Sequence, residues 1–587
     1  MLALLPAALL LACAPASKPS PPPDTGAPLS GDSPAPPDTG APLESAPGTG
    51  ETDPSAAVFD PDAIHDIELV LPAADWDDIN LNPWAETWHT AEFHWDDETV
   101  ASVGVRAFGY SSHVAGKPPL KIDFNRAVPG QRWRDLECLK LRNSYADASF
   151  LHDALEPWML REVGVPASRT GWARVWANGA LVGFYTVMEP IDDRFLQRTF
   201  GNDDGPLYSI DGIRGHGLMP LDDALAYFQF NTSVTGDGSD LEDLTRIVAE
   251  GTDAELANVL DLDSFFDESI VRTLAGSQDS FSADGNNFYL YNDPGVDVDP
   301  DDLHGTWRII SWDYNFDFTA FGLTAPLTVD PTQPWATSNY AFDPYTLVPY
   351  VDVLMQRQQA SGRDADARAA ELMTGPLAYP LLMDRITRWA ELTAADVAAD
   401  PLGGSQAHGI ANDRLYLHMR WSNALGAEVA DCAPLEDGAV PARDLSPTGT
   451  VGWSSLSTDG WIWAGASAAC ISTDSPCVGF DIADAHYCTG LFAHAPSDVT
   501  ITVPDGMRTL RGGVGLQLFA QDCSTGAQFS VEQDGVVLWT SGVLTSYSAA
   551  EDLGDIPVSP GALRLVADPL GDYSCDTTAW VDLRVVP

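Results

Sequence analysis

The stretch PPLKIDF, residues 118–124, identifies the first globular part of this chain as a domain that contains β-structure. Its apolar Leu120 and Ile122 alternate with Lys121 and Asp123, the pattern of a strand with one apolar face. Lys121 is therefore expected to point away from the apolar side. The whole chain has only four lysines, so a lysine in the middle of a strand is a candidate functional residue.

The sequence on both sides of this strand predicts a mixed α and β fold. Alternating segments at 65–72 and 99–109 predict earlier strands, and residues 149–164 predict a helix that contains a proline. Residues 173–188 predict a hairpin whose turn is Asn178-Gly179.

From about residue 190 the pattern becomes mostly helical. A capping box is predicted at 252–255, and a helix capped by Asp263 is predicted over 264–274. GNNFYLY (285–291) and WRIISWDYNFDF (307–318) predict a hairpin around an acidic loop. Further helix is predicted over 363–425.

Five separated motifs resemble, in order and spacing, the CotH family of atypical protein-kinase-like proteins first known from spore coats. They are VRAFGYSS with KPPLKIDF (105–124), LRNSYADASFLHDAL (141–155), WANGALVGFYTVMEPID (176–192), GNNFYLY and WRIISWDYNFDF. The resemblance covers residues 58–425. It implies an α+β two-lobed kinase-like domain, with an N-lobe at about 58–189 and a C-lobe at about 190–425. It also implies ATP, Mg²⁺ or Mn²⁺, and phosphoryl transfer to Ser or Thr of a protein substrate.

The resemblance assigns roles to individual residues. Lys121 would pair with the ATP phosphates, and Asp279 would accept the proton of the substrate hydroxyl. Asn287 and Asp313 would hold the metal through amide and carboxylate oxygens, which are ligands that magnesium and manganese prefer. Arg106, Glu189 and the turn that carries Ser111 and Ser112 are further candidates for cofactor binding.

Several of these assignments have alternatives. Asp279 precedes Asn287 by eight positions (287 − 279 = 8), whereas the separation in kinase catalytic loops is about five, so Asp284 is a rival base. Glu189 could equally be a structural ion-pair partner. The acid that would pair with Lys121 from the following helix is Asp153, Glu156 or Glu162, and Asn315 and Asp317 could support the metal ligands.

The composition limits the class of function. The 30 Lys+Arg residues stand against 85 Asp+Glu, which gives a net charge of −55. Such a chain repels phosphate backbones, so a general nucleic-acid or anionic-lipid binder is excluded, and a phosphate partner needs local cations or metal ions. Hydrophobic residues make up 45 %, enough for packed cores.

The N-terminal region predicts export. Residues 1–13 read as a signal peptide that ends in Leu10-Leu11-Ala12-Cys13, which resembles a bacterial lipobox with Cys13 as the lipidated residue. The Pro-rich segment 14–57, in which PPDTGAPL occurs twice, predicts a disordered tether. We therefore expect a protein of the bacterial cell envelope, lipid-anchored or secreted, whose contact with a membrane is made through Cys13.

The C-terminal region, residues 437–587, predicts an all-β sandwich. GLFAHAPSDVTITVP (490–504), FSVEQDGVVLWTSGVL (529–544) and LVADPLGDYSCDTTAWVDLRV (565–585) resemble the NPCBM module, a jelly-roll of carbohydrate-binding type. The resemblance implies a glycan partner. His494 and Trp580 are expected to be structural, and the candidates for sugar stacking are Trp453, Trp461, Trp463 and Trp539.

Six of the eight cysteines lie in or beside this region: Cys432, Cys470, Cys477, Cys488, Cys523 and Cys575. An even number in an exported chain predicts three disulfides with open connectivity, although Cys523 and Cys575 are plausible partners. A zinc site is disfavoured because no CxxC pair occurs. Cys138 is expected to remain single and buried.

Two functions of different classes fit these patterns. The first is an exported phosphotransferase with an appended glycan-binding-like module. The second is a catalytically silent surface adhesin built on a kinase-like scaffold. A glycoside hydrolase is disfavoured because residues 58–425 carry no second family pattern.

Overall fold

The computed structural model describes residues 53–587 apart from internal gaps. The gaps are 110, 211–216, 278, 282–284, 296–304, 319–350, 402, 404–405, 426–428, 430–434, 453–479, 484, 518–525, 546–547 and 572–575. Four groups of predictions therefore lie outside the described residues: the lipobox with Cys13 and nearly all of the tether, the rival base Asp284, three of the four candidate tryptophans (Trp453, Trp461 and Trp463), and most of the cysteines.

The first part of the chain is a closed β-barrel. Its strand order is β1-β2-β3-β4-β5-β7-β6, and the parallel pair β1–β6 closes it. The strands are β1 (Ile64–Val70), β2 (His89–Trp95), β3 (Glu98–Ala107), β4 (Leu120–Asp123), β5 (Cys138–Arg142), β6 (Thr170–Ala177) and β7 (Ala180–Met188). Helices α1 (Ala73–Leu81), α2 (Phe124–Ala127) and α3 (His152–Glu162) lie between them.

The barrel interior confirms the predicted alternation. Leu120 and Ile122 are fully buried in an apolar cluster that also takes side chains from β1, β2, β3 and β7. Because alternate residues of a strand face opposite sides, Lys121 lies on the other face of the sheet, as predicted. The hairpin β6–β7 turns at Asn178-Gly179, where both residues have positive φ (51° and 80°), as a two-residue turn with this twist requires.

The second part combines a small sheet with helices. The sheet has the order β11-β10-β8-β9. Its strands are β8 (Leu207–Ile210), β9 (Phe228–Phe230), β10 (Phe288–Asp293) and β11 (Thr306–Ser311). The described helices are α4 (Asp193–Phe200), α5 (Ser239–Glu250), α6 (Asp253–Val259), α7 (Leu262–Ala275), α8 (Val351–Ala360), α9 (Ala365–Thr374), α10 (Tyr379–Ala399) and α11 (Gln406–Leu425).

Two local predictions for this part have different outcomes. The capping box is confirmed, since the Thr252 hydroxyl accepts from the Glu255 amide and the Glu255 carboxylate accepts from the Thr252 amide. The predicted cap of the next helix is wrong. Helix α7 begins earlier, and Asp261 is its N-cap because its carboxylate accepts from the Ser264 amide at 3.1 Å.

The C-terminal part is all-β, as predicted. One sheet centres on β12-β24-β18-β21 with β16 and β22 beside it, a second has the order β13-β17-β23-β19-β20, and β14 and β15 form a small hairpin. The strands are β12 (Val440–Pro441), β13 (Thr448–Thr450), β14 (Phe480–Ile482), β15 (Ala485–Tyr487), β16 (Gly490–Phe492), β17 (Ser497–Val503), β18 (Thr509–Leu516), β19 (Ala527–Gln533), β20 (Val536–Leu544), β21 (Glu551–Asp552), β22 (Ile556–Pro557), β23 (Gly561–Asp568) and β24 (Thr578–Val586).

Apolar side chains from both large sheets form one core, the arrangement of a β-sandwich. Trp580 is fully buried in it and packs edge-to-face on Phe529, with the ring centroids 5.3 Å apart. His494 is also buried and its Nδ1 lies 2.7 Å from the carbonyl of Ala495. Both residues thus occupy structural positions, whereas Trp539 is only partly buried.

Two cysteines lie among the described residues, and both are disulfide-bonded. Cys488 follows the expectation for the C-terminal set. Cys138 does not remain single, so that prediction is wrong, although its side chain is buried as expected. No described helix is both long and apolar enough to span a bilayer.

Candidate functional site

A row of three cations crosses the outer face of the barrel. Arg106 on β3 is the cross-strand partner of Lys121 on β4, and Lys121 is the partner of Lys140 on β5. Adjacent strands are about 4.8 Å apart, so the side chains form a continuous strip of positive charge. The strip stands out in a chain with a net charge of −55.

Burial disfavours the charged form of both lysines in this strip. Burial, with the charge of Arg106 as the next cause, lowers the pKa of Lys121 to about 8. Burial and the charges of Lys121 and Arg142 lower the pKa of Lys140 well below its usual value. A bound polyanion would relieve both effects, because it favours the charged form of each lysine.

Arg106 is held at the end of the strip. Its guanidinium donates to Glu86 and lies over the ring of Trp88, 5.0 Å from the centroid. Burial raises the pKa of Glu86 in spite of this partner. Arg106 is therefore oriented by the Glu86 carboxylate and by the face of the Trp88 ring.

Asp313 lies in the loop after β11 and is paired with a barrel residue that the sequence did not single out. The Arg142 guanidinium donates to Asp313 and, through Nε at 3.1 Å, to Asp153 on α3. Burial opposes the charge of Arg142, but Asp153 and Asp313 outweigh it and raise the pKa of Arg142 above its ordinary value. The Asp313 side chain remains 27 % exposed.

Asn287 lies beside the same loop, just before β10. Its carbonyl accepts from the amide of Trp312, the residue before Asp313. Its side-chain Nδ2 donates to the carbonyl of Asp279 at 2.8 Å, which directs Oδ1 to the opposite side. The Asp279 carboxylate accepts from Asn286 Nδ2 at 3.0 Å. The two strand ends of one hairpin thus bring the three predicted residues together.

Strand β5 lies between Lys121 and the group formed by Asp279, Asn287 and Asp313. The Lys140 ammonium lies 3.8 Å from the centroid of the Trp312 ring, and the negative charges of Asp192 and Asp313 favour its charged form. Asp192, which caps α4, acts on Lys121 in the same way. Lys140 is therefore the intermediate between the predicted lysine and the predicted metal ligand.

The turn after β3 is only partly consistent with a phosphate-binding role. Gly109 has a φ of +106°, and a Cβ there would lie 2.6 Å from the Ser112 hydroxyl oxygen. Ser112 is buried and its carbonyl accepts from Asn143 at 3.0 Å, whereas Ser111 is exposed. Ser112 therefore helps to hold the turn, and Ser111 is the more accessible of the two.

Glu189 has the environment of a structural ion-pair partner. Its buried carboxylate accepts from the guanidinium groups of Arg169 and Arg198 at 2.8–3.1 Å. Burial works against its charge, but Arg198 and Arg169 lower the pKa of Glu189 to about 2. This geometry favours the structural alternative over cofactor binding.

The three acids that could pair with Lys121 have separate environments. Asp153 contacts Arg142, and Glu156 binds Arg272 at 3.0 Å deep in the second part of the fold, where Arg272 also reaches Asp317. Glu162 is exposed near the end of α3. The helix therefore supplies its acid to Arg142 rather than to Lys121.

The donor set at Asn287 and Asp313 fits a magnesium or manganese ion that shares its coordination with phosphate. Within the described ranges no group of three or more His, Cys, Asp or Glu side chains is arranged to hold a metal. Mg²⁺ needs no such cage, since it is commonly held by one or two protein oxygens together with substrate phosphates and water. Both residues have left-handed backbones, with φ of 54° and 60°, a feature that often marks functional positions.

Lys140 and Arg142 are the site residues that sequence reasoning missed. Lys140 could have been found from the rarity of lysine in the chain. Both alternate with the apolar Leu139 and Leu141, so they share the face of Lys121 once β5 is recognised as its neighbour.

The first part of the fold is a mixed α/β domain in which the cation row lies beside carboxylate and amide oxygens, and an all-β region follows it. This arrangement is typical of a kinase-like protein with an appended module. The chain belongs to the CotH family, because the family model described as CotH kinase protein matches residues 105–410, more than half of its 587 residues. The NPCBM/NEW2 domain model matches residues 451–586.

Individual relatives match smaller parts of the chain. Over 110 residues the chain is 36 % identical to Alpha-1,3-galactosidase B of Akkermansia muciniphila. This matched stretch covers 18 % of this chain and 14 % of that protein. Solved structures of Clostridium perfringens proteins match 25 % of the chain with a TM-score of 0.21. They are the CBM51-2 and INT domains of ZmpB (18 % identity, 31 % of that structure) and the CBM51 of GH95 in complex with methyl-galactose (17 % identity, 99 % of that structure).

Proposed function

We propose that this protein is an atypical protein kinase that transfers the γ-phosphate of ATP to Ser or Thr residues of a protein, with Mg²⁺ or Mn²⁺. The observation that carries the proposal is the meeting of the cation strip with the Asn287 and Asp313 oxygens at one place, through Lys140 and Trp312. Phosphoryl transfer depends mainly on positioning and charge neutralisation, which these groups are suited to provide.

Each group has a distinct task in this proposal. Arg106, Lys121 and Lys140 bind the phosphate oxygens along the strip. Asn287 and Asp313 would hold the metal ion through their side-chain oxygens, and the ion would neutralise phosphate charge. Asp279, held beside Asn287, orients the acceptor hydroxyl and takes its proton.

The location and the glycan partner are part of the same proposal. Lipidation of Cys13 would anchor the protein in the bacterial envelope, and the Pro-rich segment would hold the enzyme away from the membrane. The match to the NPCBM/NEW2 domain supports glycan binding by residues 437–587. The acidic surface argues against nucleic acid as a partner.

One observation favours the second candidate, a catalytically silent adhesin on the same scaffold. The carboxylate of Asp313 is already paired with Arg142, so a metal ion must share or displace this contact. A scaffold that never binds nucleotide could keep the ion pair permanently.

The decisive experiment is autophosphorylation by the purified protein with labelled ATP, with Mn²⁺, with Mg²⁺ and with EDTA. The kinase predicts incorporation that requires metal and vanishes in Asp313→Ala, while Asp384→Asn, which changes an exposed carboxylate on α10, keeps it. Absence of nucleotide binding and of incorporation in the wild type would favour the adhesin. A glycan array with the full chain tests the C-terminal module, and a blank array would leave it as a structural domain.

A further inference from the structure

His152, the first residue of α3, holds two parts of the fold together from a fully buried position. Its Nδ1 lies 3.2 Å from the main-chain carbonyl of Asn315, and its Nε2 lies 2.9 Å from Oδ1 of Asp413 on α11. A carbonyl and a carboxylate oxygen are both acceptors, so both ring nitrogens must carry hydrogen. The geometry therefore requires the imidazolium form. In agreement with this, Asp147 and Asp413 outweigh the effect of burial and raise the pKa of His152 to about 10.

Asp147 fixes the turn from which His152 starts. Its carboxylate accepts from the amides of Ser149, Phe150 and His152 at 2.9 Å and from the Ser149 hydroxyl at 2.7 Å. With so many donors from the turn, Asp147 lies 3.5 Å from His152 Nε2 and adds charge there, while Asp413 supplies the directed hydrogen bond.

Helix α11 is packed against this turn without spare room. A Cβ on Gly409 would lie 2.2 Å from the Ser149 nitrogen, so only glycine permits the observed approach. Gln406 donates to the Ser149 carbonyl at 3.1 Å. Asp413, one turn further along α11, is thereby held in place opposite the imidazolium.

The other end of the bridge is the loop that carries the candidate metal ligand. Asn315 lies two residues after Asp313. Its Oδ1 accepts from Arg142 at 3.3 Å and its Nδ2 donates to the carbonyl of Tyr145 at 2.9 Å. Asp313 has a left-handed backbone, which a non-glycine residue adopts only when its surroundings hold it there.

We propose that His152 is a positioning residue: its imidazolium joins the loop of residues 312–315 to α11 and thereby fixes where the Asp313 carboxylate lies. The inference rests on the proposed function, because it assigns Asp313 the role of metal ligand. A glutamine or asparagine cannot take the place of the imidazolium here, since its side chain donates from a single nitrogen. Loss of the imidazolium would leave the protein folded, but the Asp313 carboxylate would no longer be held in its position.

The test uses the full chain and two separate readouts. Hydrogen exchange of residues 312–318 is measured in the free protein, and Mn²⁺ binding is measured by calorimetry in the presence of a non-hydrolysable ATP analogue. The variants are His152→Gln, Asp413→Asn and the double variant, which removes both charges of the directed pair together, while Asp147 keeps its four hydrogen-bond donors from the turn. Thr374→Val on α9 is the control, since it deletes a side-chain hydrogen bond to the Ala370 carbonyl within that helix.

We expect faster exchange across residues 312–318 and Mn²⁺ binding weaker by about 10- to 100-fold, the usual effect of losing a group that orients a metal ligand. Metal-free binding of the analogue and all properties of the control should stay near those of the wild type. If exchange in the double variant is unchanged, or if it rises while Mn²⁺ binding stays the same, the proposal is wrong. A wild type that binds no Mn²⁺ with the analogue would instead refute the proposed function.

Discussion

Arg142 on β5 and Asp313 in the loop after β11 form an ion pair that connects the barrel to the second part of the fold. The same guanidinium binds Asp153 at the start of α3. One cation thus links a strand, a helix and a candidate metal ligand. In protein kinases a lysine–glutamate ion pair joins a strand to a helix, and the Arg142–Asp153 pair likewise joins β5 to α3.

Replacement of Arg142 should reduce both the stability of the fold and its activity. Arg142→Met leaves Asp153 buried without its partner, so we expect a loss of about 3–5 kcal/mol in the free energy of unfolding, as for other broken buried pairs. Phosphotransfer should also be lost. Urea unfolding and autophosphorylation measure the two effects.

The double variant Arg142→Met/Asp153→Leu is the control for this prediction. Removing both charges should restore much of the stability, because an apolar pair of similar volume is often as stable as a buried ion pair. Activity should remain absent. A double variant with wild-type phosphotransfer would show that the Arg142 link is dispensable.

Glu189→Gln tests whether that residue is structural. The pKa of Glu189 is about 2 in the fold against 4.5 for an ordinary glutamate, so the unfolded chain binds more protons between these values. Its contribution to stability is fully present above about pH 4.5 and is lost as the pH falls through 2. The shift corresponds to about 3 kcal/mol.

We therefore expect the wild type to lose stability more steeply than Glu189→Gln between pH 4.5 and the acid limit, as measured by thermal unfolding. At neutral pH the affinity of the folded variant for an ATP analogue should equal that of the wild type. A selective loss of nucleotide affinity with unchanged stability would restore the cofactor-binding role.

Local sequence patterns predicted the strands and turns well, because these structures depend mainly on residues that are close in sequence. The alternation around Lys121 and the Asn178-Gly179 turn are examples, and both are confirmed. The N-cap residue of α7 was not predicted correctly. Asp261 and Asp263 are equally good capping residues, and the choice depends on where α7 begins, which its packing decides.

The partners within the site could not be read from the sequence in the same way. Lys121 and Lys140 are adjacent because β4 and β5 pair, and Arg142 meets Asp313 across 171 positions of the chain. Such contacts are set by strand register and by closure of the barrel through the parallel pair β1–β6. A motif in sequence order carries no information on which acid meets which cation.

Trp580→Ala should destabilise the C-terminal sandwich alone. The side chain is fully buried against Phe529, so truncation should cost about 3–5 kcal/mol. In calorimetry we expect the transition of the sandwich to move to lower temperature while autophosphorylation persists. Trp539→Ala on β20 is the matched control, with a small effect on stability because this side chain is only partly buried. Equal shifts for the two variants would contradict the assigned core.

Nucleotide affinity should fall as the pH rises through about 8, the pKa of Lys121 in the free protein, because the ammonium that attracts phosphate then loses its proton. Lys121→Met should weaken binding of an ATP analogue by about 10- to 100-fold at pH 7, the value of one charge-assisted hydrogen bond. Its affinity should then depend less on pH above 7. Lys121→Arg is the control, since the arginine keeps its charge throughout this range and the affinity of the variant should depend less on pH than that of the wild type. Calorimetric titrations from pH 6.5 to 9.5 measure the profiles. A wild-type affinity that stays constant across pH 8 would mean that the Lys121 ammonium does not contact phosphate.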